Sequence, residues 1–385
     1  MTTRRPKWWA NWIGGCKSSG LESVRMGNLS KEEKRVGRIQ GELLRFDVEG
    51  ILFFDMANIR YLTGFTGSEG ALFVGKGEPV LLIDGRYVTQ AKRETNACEI
   101  LHFTDKTEGI ARLLATSNVK VAGFESQALT YDAYEKLQRE TEGISLKPLS
   151  DEIGPLRARK DSDEIVLLRE AAKIAARALT ATLEIVTPGV SERSIATLLE
   201  VTMREAGSEK PSFETIVAAG ENSSMPHARP GGSELKNGDF VVIDYGAVYG
   251  GYHSDETCTY AIGKTSRDQE EVYEIVKYAH DRAIDAVKAG VSCKDIDGIA
   301  RNYIEDKGLG SHFSHGTGHG VGLEVHEAPT VSARSTDYLE EGMIITVEPG
   351  IYIPGKWGVR IEDTVLVERD GCEIITRMPK ELAVL

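Results

Sequence analysis

Apolar residues fall into two textures along the chain. From about residue 27 to 150, compact apolar runs alternate with segments of helical period. GILFFDM (50–56), ALFVG (71–75) and PVLLID (79–84) are each bounded by turn residues and read as strands. Ser30, followed three residues on by Glu33, predicts a capping box opening a helix that runs through Leu44. RYVTQAKRE (86–94) predicts another helix, and RYLTGFTGSEG (60–70) a glycine-rich connection. This alternation predicts a small α/β domain over residues 27–155.

The second texture begins near IGPLRARKDSDEI (153–165). Asp161 to Asp163 open a long helical pattern, EIVLLREAAKIAARALTATLEIV (164–186), closed by Pro188-Gly189. SERSIATLLEVTMREAG (191–207) predicts a second helix. After residue 212 strands and glycine-rich loops take over, broken by helices around 267–289 and 295–307. An α+β domain over 156–385 follows, with no visible tandem repeat or low-complexity tract. Seven of the eight histidines lie in this second part, only His102 in the first, so the chemistry is sought there.

In FVVIDYGAVYGGYHSDETCTYAIG (240–263), alternation puts Val241, Ile243 and Tyr245 on one face and Val242 and Asp244 on the other. YGGY reads as a turn, which brings Asp244 and Asp255 onto neighbouring antiparallel strands. An aspartate facing a core is unfavourable unless paired or metal-bound; the alternative is two solvated aspartates on an edge hairpin. MIITVEPGIYIPGKWGVRIEDTVLV (343–367) repeats the arrangement. Glu348 closes an apolar strand before Pro349-Gly350, Glu362 lies in the next strand, and Arg360 shares a face with Glu362 by period two. Either hairpin alone fits a solvated edge, but two in one domain weigh against chance.

HGTGHGVGLEVHE (315–327) carries three histidines among glycines at every second position. The glycines make a helix unfavourable, so His315 and His319 are read as having separate jobs, with His319 the candidate imidazole ligand. The missing side chains would let the backbone pass close beside a crowded metal centre. Neither phosphate-loop pattern fits these glycines. His227 lies in a proline-bounded loop, ENSSMPHARPGG (221–232). Four carboxylates and a histidine suit a pair of divalent ions of the Mn(II), Co(II), Fe(II) or Zn(II) kind. Two such ions sharing a water lower its pKa enough to make hydroxide near neutral pH.

Composition narrows the partners. The 385 residues are 41% hydrophobic and 27% charged, with a formal net charge of −13. That balance argues against nucleic acid or anionic membrane as the main partner and suits a site that collects cations. Five scattered cysteines without a CxxC pair imply a reducing, cytoplasmic setting. No apolar run reaches the ~18 residues of a membrane span. Residues 1–26, basic and tryptophan-bearing, are expected to form a flexible extension, with Met26 a second candidate start.

Together these segments resemble the pita-bread metallopeptidases: Xaa-Pro aminopeptidase (aminopeptidase P), Xaa-Pro dipeptidase (prolidase) and, more distantly, methionine aminopeptidase and creatinase. NIRYLTGFTGSEGALFV (58–74) with LLIDGRYVTQA (81–91) is similar to the creatinase-type N-terminal domain. The resemblance implies an α/β creatinase-like N-terminal domain followed by an α+β pita-bread catalytic domain. It implies Asp244, Asp255, His319, Glu348 and Glu362 as ligands of two divalent ions, Mn(II) first, with Asp255 and Glu362 tying the ions together. Glu348 would also manage the proton of the shared water. It further implies catalytic roles for His227, His315, His326 and Arg360: His227 and His326 would meet the substrate, and Arg360 would brace the carboxylates. The implied activity is metal-assisted removal of the residue preceding proline from a peptide, by a homodimer. The alternatives are a dipeptidase restricted to Xaa-Pro dipeptides and a peptide-binding module without catalysis. Creatinase is disfavoured because all five ligand positions are filled, and methionine aminopeptidase by the long N-terminal domain. One departure stands out: members often read SD-x-T-R-T where this chain has SDETCT (254–259), so Cys258 replaces an arginine.

Overall fold

The computed structural model describes residues 29–150 and 152–385. The expected extension over 1–26 lies outside the described residues. The chain divides into two compact units, Met1–Ser150 and Asp151–Leu385.

The first unit carries helices α1 (Lys31–Glu42), α2 (Met56–Thr63), α3 (Val88–Glu94), α4 (Lys106–Thr116) and α5 (Tyr131–Glu140). Its strands are β1 (Gly50–Phe53), β2 (Ala71–Gly75), β3 (Val80–Ile83), β4 (Glu99–His102), β5 (Val121–Glu125) and β6 (Ser145–Leu149). They form one mixed sheet in the order β4-β3-β2-β1-β5-β6. β1 to β3 are the compact apolar runs of the sequence, every residue buried, as strands covered on both faces require. Ser30 and Glu33 make the reciprocal capping box at the start of α1.

The second unit repeats one theme twice. Helices α6 (Ser162–Thr182) and α7 (Glu192–Glu205) precede β7 (Ile216–Ala219), β8 (Phe240–Tyr245), β9 (Val248–Tyr249), β10 (Tyr252–His253) and β11 (Glu256–Ala261). Helices α8 (Arg267–Ala286) and α9 (Cys293–Asp306) then precede β12 (Gly318–Gly320), β13 (Glu327–Val331), β14 (Ile344–Val347), β15 (Gly350–Ile353), β16 (Trp357–Arg360), β17 (Asp363–Val367) and β18 (Cys372–Ile374). Ser191 and Ser292 cap α7 and α9 alike, each accepting from the backbone N–H three residues on. The duplication is legible only in three dimensions, because little beyond the Gly-Val-Ser before each capped helix survives in both copies.

Each helix pair backs an antiparallel sheet: β11-β8-β7 in the first copy, β13-β12-β14-β17-β18 in the second. Val241, Ile243 and Tyr245 point into the core shared with α6 and α7, as the alternation predicts. Two boundaries differ from the sequence reading. The pattern over 164–186 gives an α-helix only to Thr182, followed by a 3₁₀ turn over Leu183–Ile185. Glu348 is followed by a separate hairpin, β15 with β16, before β17 returns to pair with β14.

The glycines of residues 315–327 allow the close backbone approach expected of them, and the structure shows what is approached. A Cβ at Gly318 would lie 2.0 Å from the Thr346 carbonyl oxygen, and one at Gly320 would lie 2.2 Å from that of Ala328. The empty positions let β13, β12 and β14 approach one another. Gly318→Ala is therefore expected to cost ~1–3 kcal/mol, because a backbone carbonyl cannot swing aside. Urea unfolding checks this, and an unchanged midpoint would contradict it.

Candidate metal centre

The two antiparallel pairs aim acids at one place. In β8 and β11, Asp244 lies opposite Thr257, and Asp255 immediately precedes the paired Glu256. In β14 and β17, Val347 lies opposite Asp363, which leaves Glu348 and Glu362 at the same end of that pair. His319 sits in β12, whose Gly320 pairs with Ile345 of β14. One donor atom each from Asp255, His319 and Glu362 lies within 4.8 Å of the other two. His319 Nε2 stands 3.6 Å from Asp255 Oδ2 and 3.4 Å from Glu348 Oε1. The structure thus gathers all four acids, His319, Arg360, His315 and His326. His326 is exposed, its ring centred 4.3 Å from that of His319. His227 is on an exposed loop that reaches the cluster, where the carbonyl of its neighbour Pro226 accepts from Arg360 Nη1 at 3.1 Å.

The charges do not balance without a cation. Burial, then Glu362 and Asp244, push the Asp255 carboxyl well above its usual range; burial, then Glu348 and Asp244, do the same to Glu362. Burial lowers the His319 imidazole, keeping it neutral. Its Nδ1 donates to the Gly320 carbonyl at 3.0 Å. The Nε2 lone pair therefore faces two carboxylate oxygens, an arrangement that repels unless a positive ion lies between them. Asp244 Oδ1 is likewise buried without a hydrogen-bond partner. These orphaned acceptors fit divalent cations, which oxygen and imidazole ligands of this mixture hold.

Arg360 braces the cluster. Its Nη2 donates to Asp244 Oδ2, its Nη1 to the Tyr352 hydroxyl at 2.8 Å, and its Nε to Thr257 Oγ1 at 3.1 Å. Since a guanidinium only donates, Thr257 must pass its own hydrogen to Glu362 Oε2, at 2.7 Å. By the same logic the Tyr352 hydroxyl donates to His315 Nε2 at 2.9 Å, while His315 Nδ1 donates to the Gly316 carbonyl. Both nitrogens of His315 are thus engaged. The sequence reading missed Tyr352; its signal was the one tyrosine in the hairpin after Glu348, which carries meaning only once β15 folds back on β16.

Comparison with known proteins agrees with this geometry. The profile of metallopeptidase family M24 matches residues 166–369, and that of the creatinase/prolidase N-terminal domain matches residues 35–159. The chain belongs to metallopeptidase family M24. A Xaa-Pro dipeptidase from Pyrococcus horikoshii is 38% identical over 87% of this chain and 94% of its own. The structure of a Xaa-Pro dipeptidase from Bacillus anthracis superposes with a TM-score of 0.90 at 39% identity, over 92% of this chain and all of that one. An X-Pro aminopeptidase from Thermotoga maritima gives 0.83 at 35% identity, over 91% of this chain and all of its own. The fold is the α/β creatinase-type domain followed by the α+β pita-bread domain, and the protein is a metal-dependent peptidase. Among the described residues no helix is long and apolar enough to cross a membrane.

The M24 fold also explains how Cys258 is accommodated. Glu256 and Asp363 each follow a cluster acid by one residue. Lys380, buried in the C-terminal segment, donates to Glu256 Oε1 at 2.7 Å and lies 3.3 Å from Asp363 Oδ1 and 3.5 Å from Cys258 Sγ. Burial alone would lower the Lys380 ammonium, but Glu256 and its neighbours hold it well above the ordinary value. A lysine thus supplies positive charge beside the position where an arginine is often found. Cys258 itself is pushed up to about 12 by burial and is inert as a nucleophile.

The raised acids predict an unusual pH dependence. Without metal, the folded chain binds more protons at Asp255, Glu348 and Glu362 than the unfolded chain does, above the ordinary carboxylate range. Their contribution is then fully present in acid and is lost as pH rises through the raised values. Metal-depleted protein is expected to lose thermal stability from about pH 4 toward neutrality. Added divalent metal should remove the loss, because ionised carboxylates bind it. A metal-free Tm that rises over that window would contradict the assignment.

Proposed function

We propose that this chain is a Xaa-Pro dipeptidase, cleaving the bond before proline in dipeptides. The observation that carries the metallopeptidase part of this reading is the convergence of one donor atom each from Asp255, His319 and Glu362 within 4.8 Å. Intact donors argue against a binding module without catalysis. The sequence points first to an aminopeptidase acting on longer Xaa-Pro peptides. Relatives named Xaa-Pro dipeptidase at 38–39% identity over most of the chain favour its alternative instead. A 35% identical X-Pro aminopeptidase keeps the first reading as the competitor.

Asp244, Asp255, His319, Glu348 and Glu362 would hold two divalent ions, Mn(II) first and Co(II), Fe(II) or Zn(II) after it. When bound, they supply a Lewis acid for the scissile carbonyl and an acidified water. Arg360 keeps Asp244 in place through its Nη2 contact. Burial raises the Glu348 carboxyl, which suits it to take a proton and return it. The proton is needed at the prolyl nitrogen, a tertiary amide that leaves only once protonated. His326, beside His319, and His227, on its exposed loop, would orient the substrate's polar groups. His315, held by Tyr352, shapes the wall rather than approaching the substrate through a free nitrogen. A cytoplasmic homodimer completes the proposal.

Turnover of Xaa-Pro dipeptides against Xaa-Pro-Yaa tripeptides with Mn(II) tests it. Dipeptides are expected to win in kcat/KM by about 10-fold or more, the worth of one charge-assisted hydrogen bond to the free carboxylate. A preference for the longer peptides would make the enzyme an aminopeptidase. Asp255→Asn is expected to abolish both activities while the protein stays folded.

A further inference from the structure

The segment that carries His315 has no sheet to hold it. Residues 313–317 lie before β12 begins, outside any strand. Two side chains of α9 take the place of a strand partner. Asp297, fully buried, and Arg301, one turn on, form a forked pair: Arg301 Nε to Asp297 Oδ2 and Nη2 to Oδ1, both 2.8 Å. Two of the guanidinium's remaining hydrogens go to backbone. Nη1 donates to the Phe313 carbonyl at 3.1 Å and Nη2 to that of His315 at 2.6 Å. Asp297 Oδ1 accepts from the Thr317 backbone N–H at 3.1 Å and from its hydroxyl at 2.9 Å.

The pair therefore grips three alternate residues, 313, 315 and 317, along one edge of the segment. The same segment is tied to the metal cluster at Thr317, whose carbonyl accepts from the Glu348 N–H at 2.7 Å. Packing reinforces the grip: the guanidinium lies 4.2 Å from the Phe313 ring centre, and Phe313 meets the His315 ring edge-on at 5.1 Å.

We propose that Asp297 and Arg301 are a positioning pair that fixes His315, and with it the Tyr352–Arg360 brace, in register with the carboxylate cluster. Neither side chain touches the cluster acids; both act through the backbone they hold. A bidentate fork with two further hydrogens suits arginine and no other residue, since lysine offers a point charge that cannot span both carbonyls. The Arg301 side chain is 26% exposed and, with Arg282, Lys294 and Asn302, lines an open cleft of about 640 Å³. A small planar cation in solution can therefore reach the space that its removal leaves.

The kinetic part rests on the peptidase reading, and the structural part does not. In Mn(II)-loaded protein, Arg301→Lys and Arg301→Ala are expected to lower kcat about 10- to 100-fold, the scale of a misplacement near 1 Å. KM and Mn(II) affinity are expected to stay unchanged. Deuterium exchange over 313–317 should rise in both variants, with β8 and β11 unaffected. Guanidinium ion should restore both the protection and kcat of Arg301→Ala, and sodium chloride at equal ionic strength should not. Unchanged exchange over 313–317 overturns the proposal whether or not any peptide is cleaved. Raised exchange with wild-type kcat, or a kcat that falls only as metal is lost, overturns it too. If Arg301→Ala does not fold, Arg301→Lys decides alone, because it keeps the charge opposite Asp297. An inactive wild type would refute the peptidase reading, while exchange would still judge the pair.

Discussion

Buried carboxylates in mutual contact repel, and the repulsion grows as water is excluded. The second unit of this protein is built around such a contact. Two antiparallel strand pairs, one in each copy of a duplicated helix–sheet theme, end with their acids turned toward a common point. Asp255 and Glu362 each stand one residue before a strand, and Glu348 one residue after its own. Strand ends place side chains more rigidly than loops do, because the ladder behind them fixes their direction. Such a site is unfavourable when empty and strongly favourable when loaded.

The surrounding residues make sense as consequences of that constraint. Arg360 meets Asp244, orients Thr257 toward Glu362, and passes its influence to His315 through Tyr352. Removing one link would leave a buried polar group unsatisfied, which makes such networks all-or-nothing. Beside Glu256 and Asp363, Lys380 performs a parallel task. It arrives on a tail that adds to β11, where the Leu385 N–H donates to the Ala261 carbonyl and the Gly263 N–H to that of Leu385. The substitution of cysteine at 258 is thus absorbed by a residue more than a hundred positions away.

Much of this was legible in the chain itself. Caps at Ser30 and Ser191 mark helix starts, because a side-chain oxygen beside free N–H groups is a local signal. The alternation of FVVIDY faces Asp244 away from Val241 and Ile243 because strand periodicity is also local. Residue type and spacing singled out the acids and His319 as candidates, and the family resemblance supplied their expected role as ligands. What escaped was non-local. Tyr352 matters because β15 folds onto β16, and Lys380 because the tail returns to β11. The glycines of 315–327 were read as letting the backbone pass close beside a metal centre; the close approach is there, but at Gly318 and Gly320 it is to the backbone of neighbouring strands. Substrate length depends on groups that no short pattern encodes.

The central claim, that this cluster holds two ions sharing carboxylates, is tested most directly by Mn(II) titration. Metal content would be counted at saturation and the electron paramagnetic resonance spectrum recorded. The account predicts two manganese ions per chain with an exchange-coupled spectrum, since ions joined by Asp255 and Glu362 sense each other's spins. A single ion with the six-line signal of isolated Mn(II), or no uptake, would contradict it.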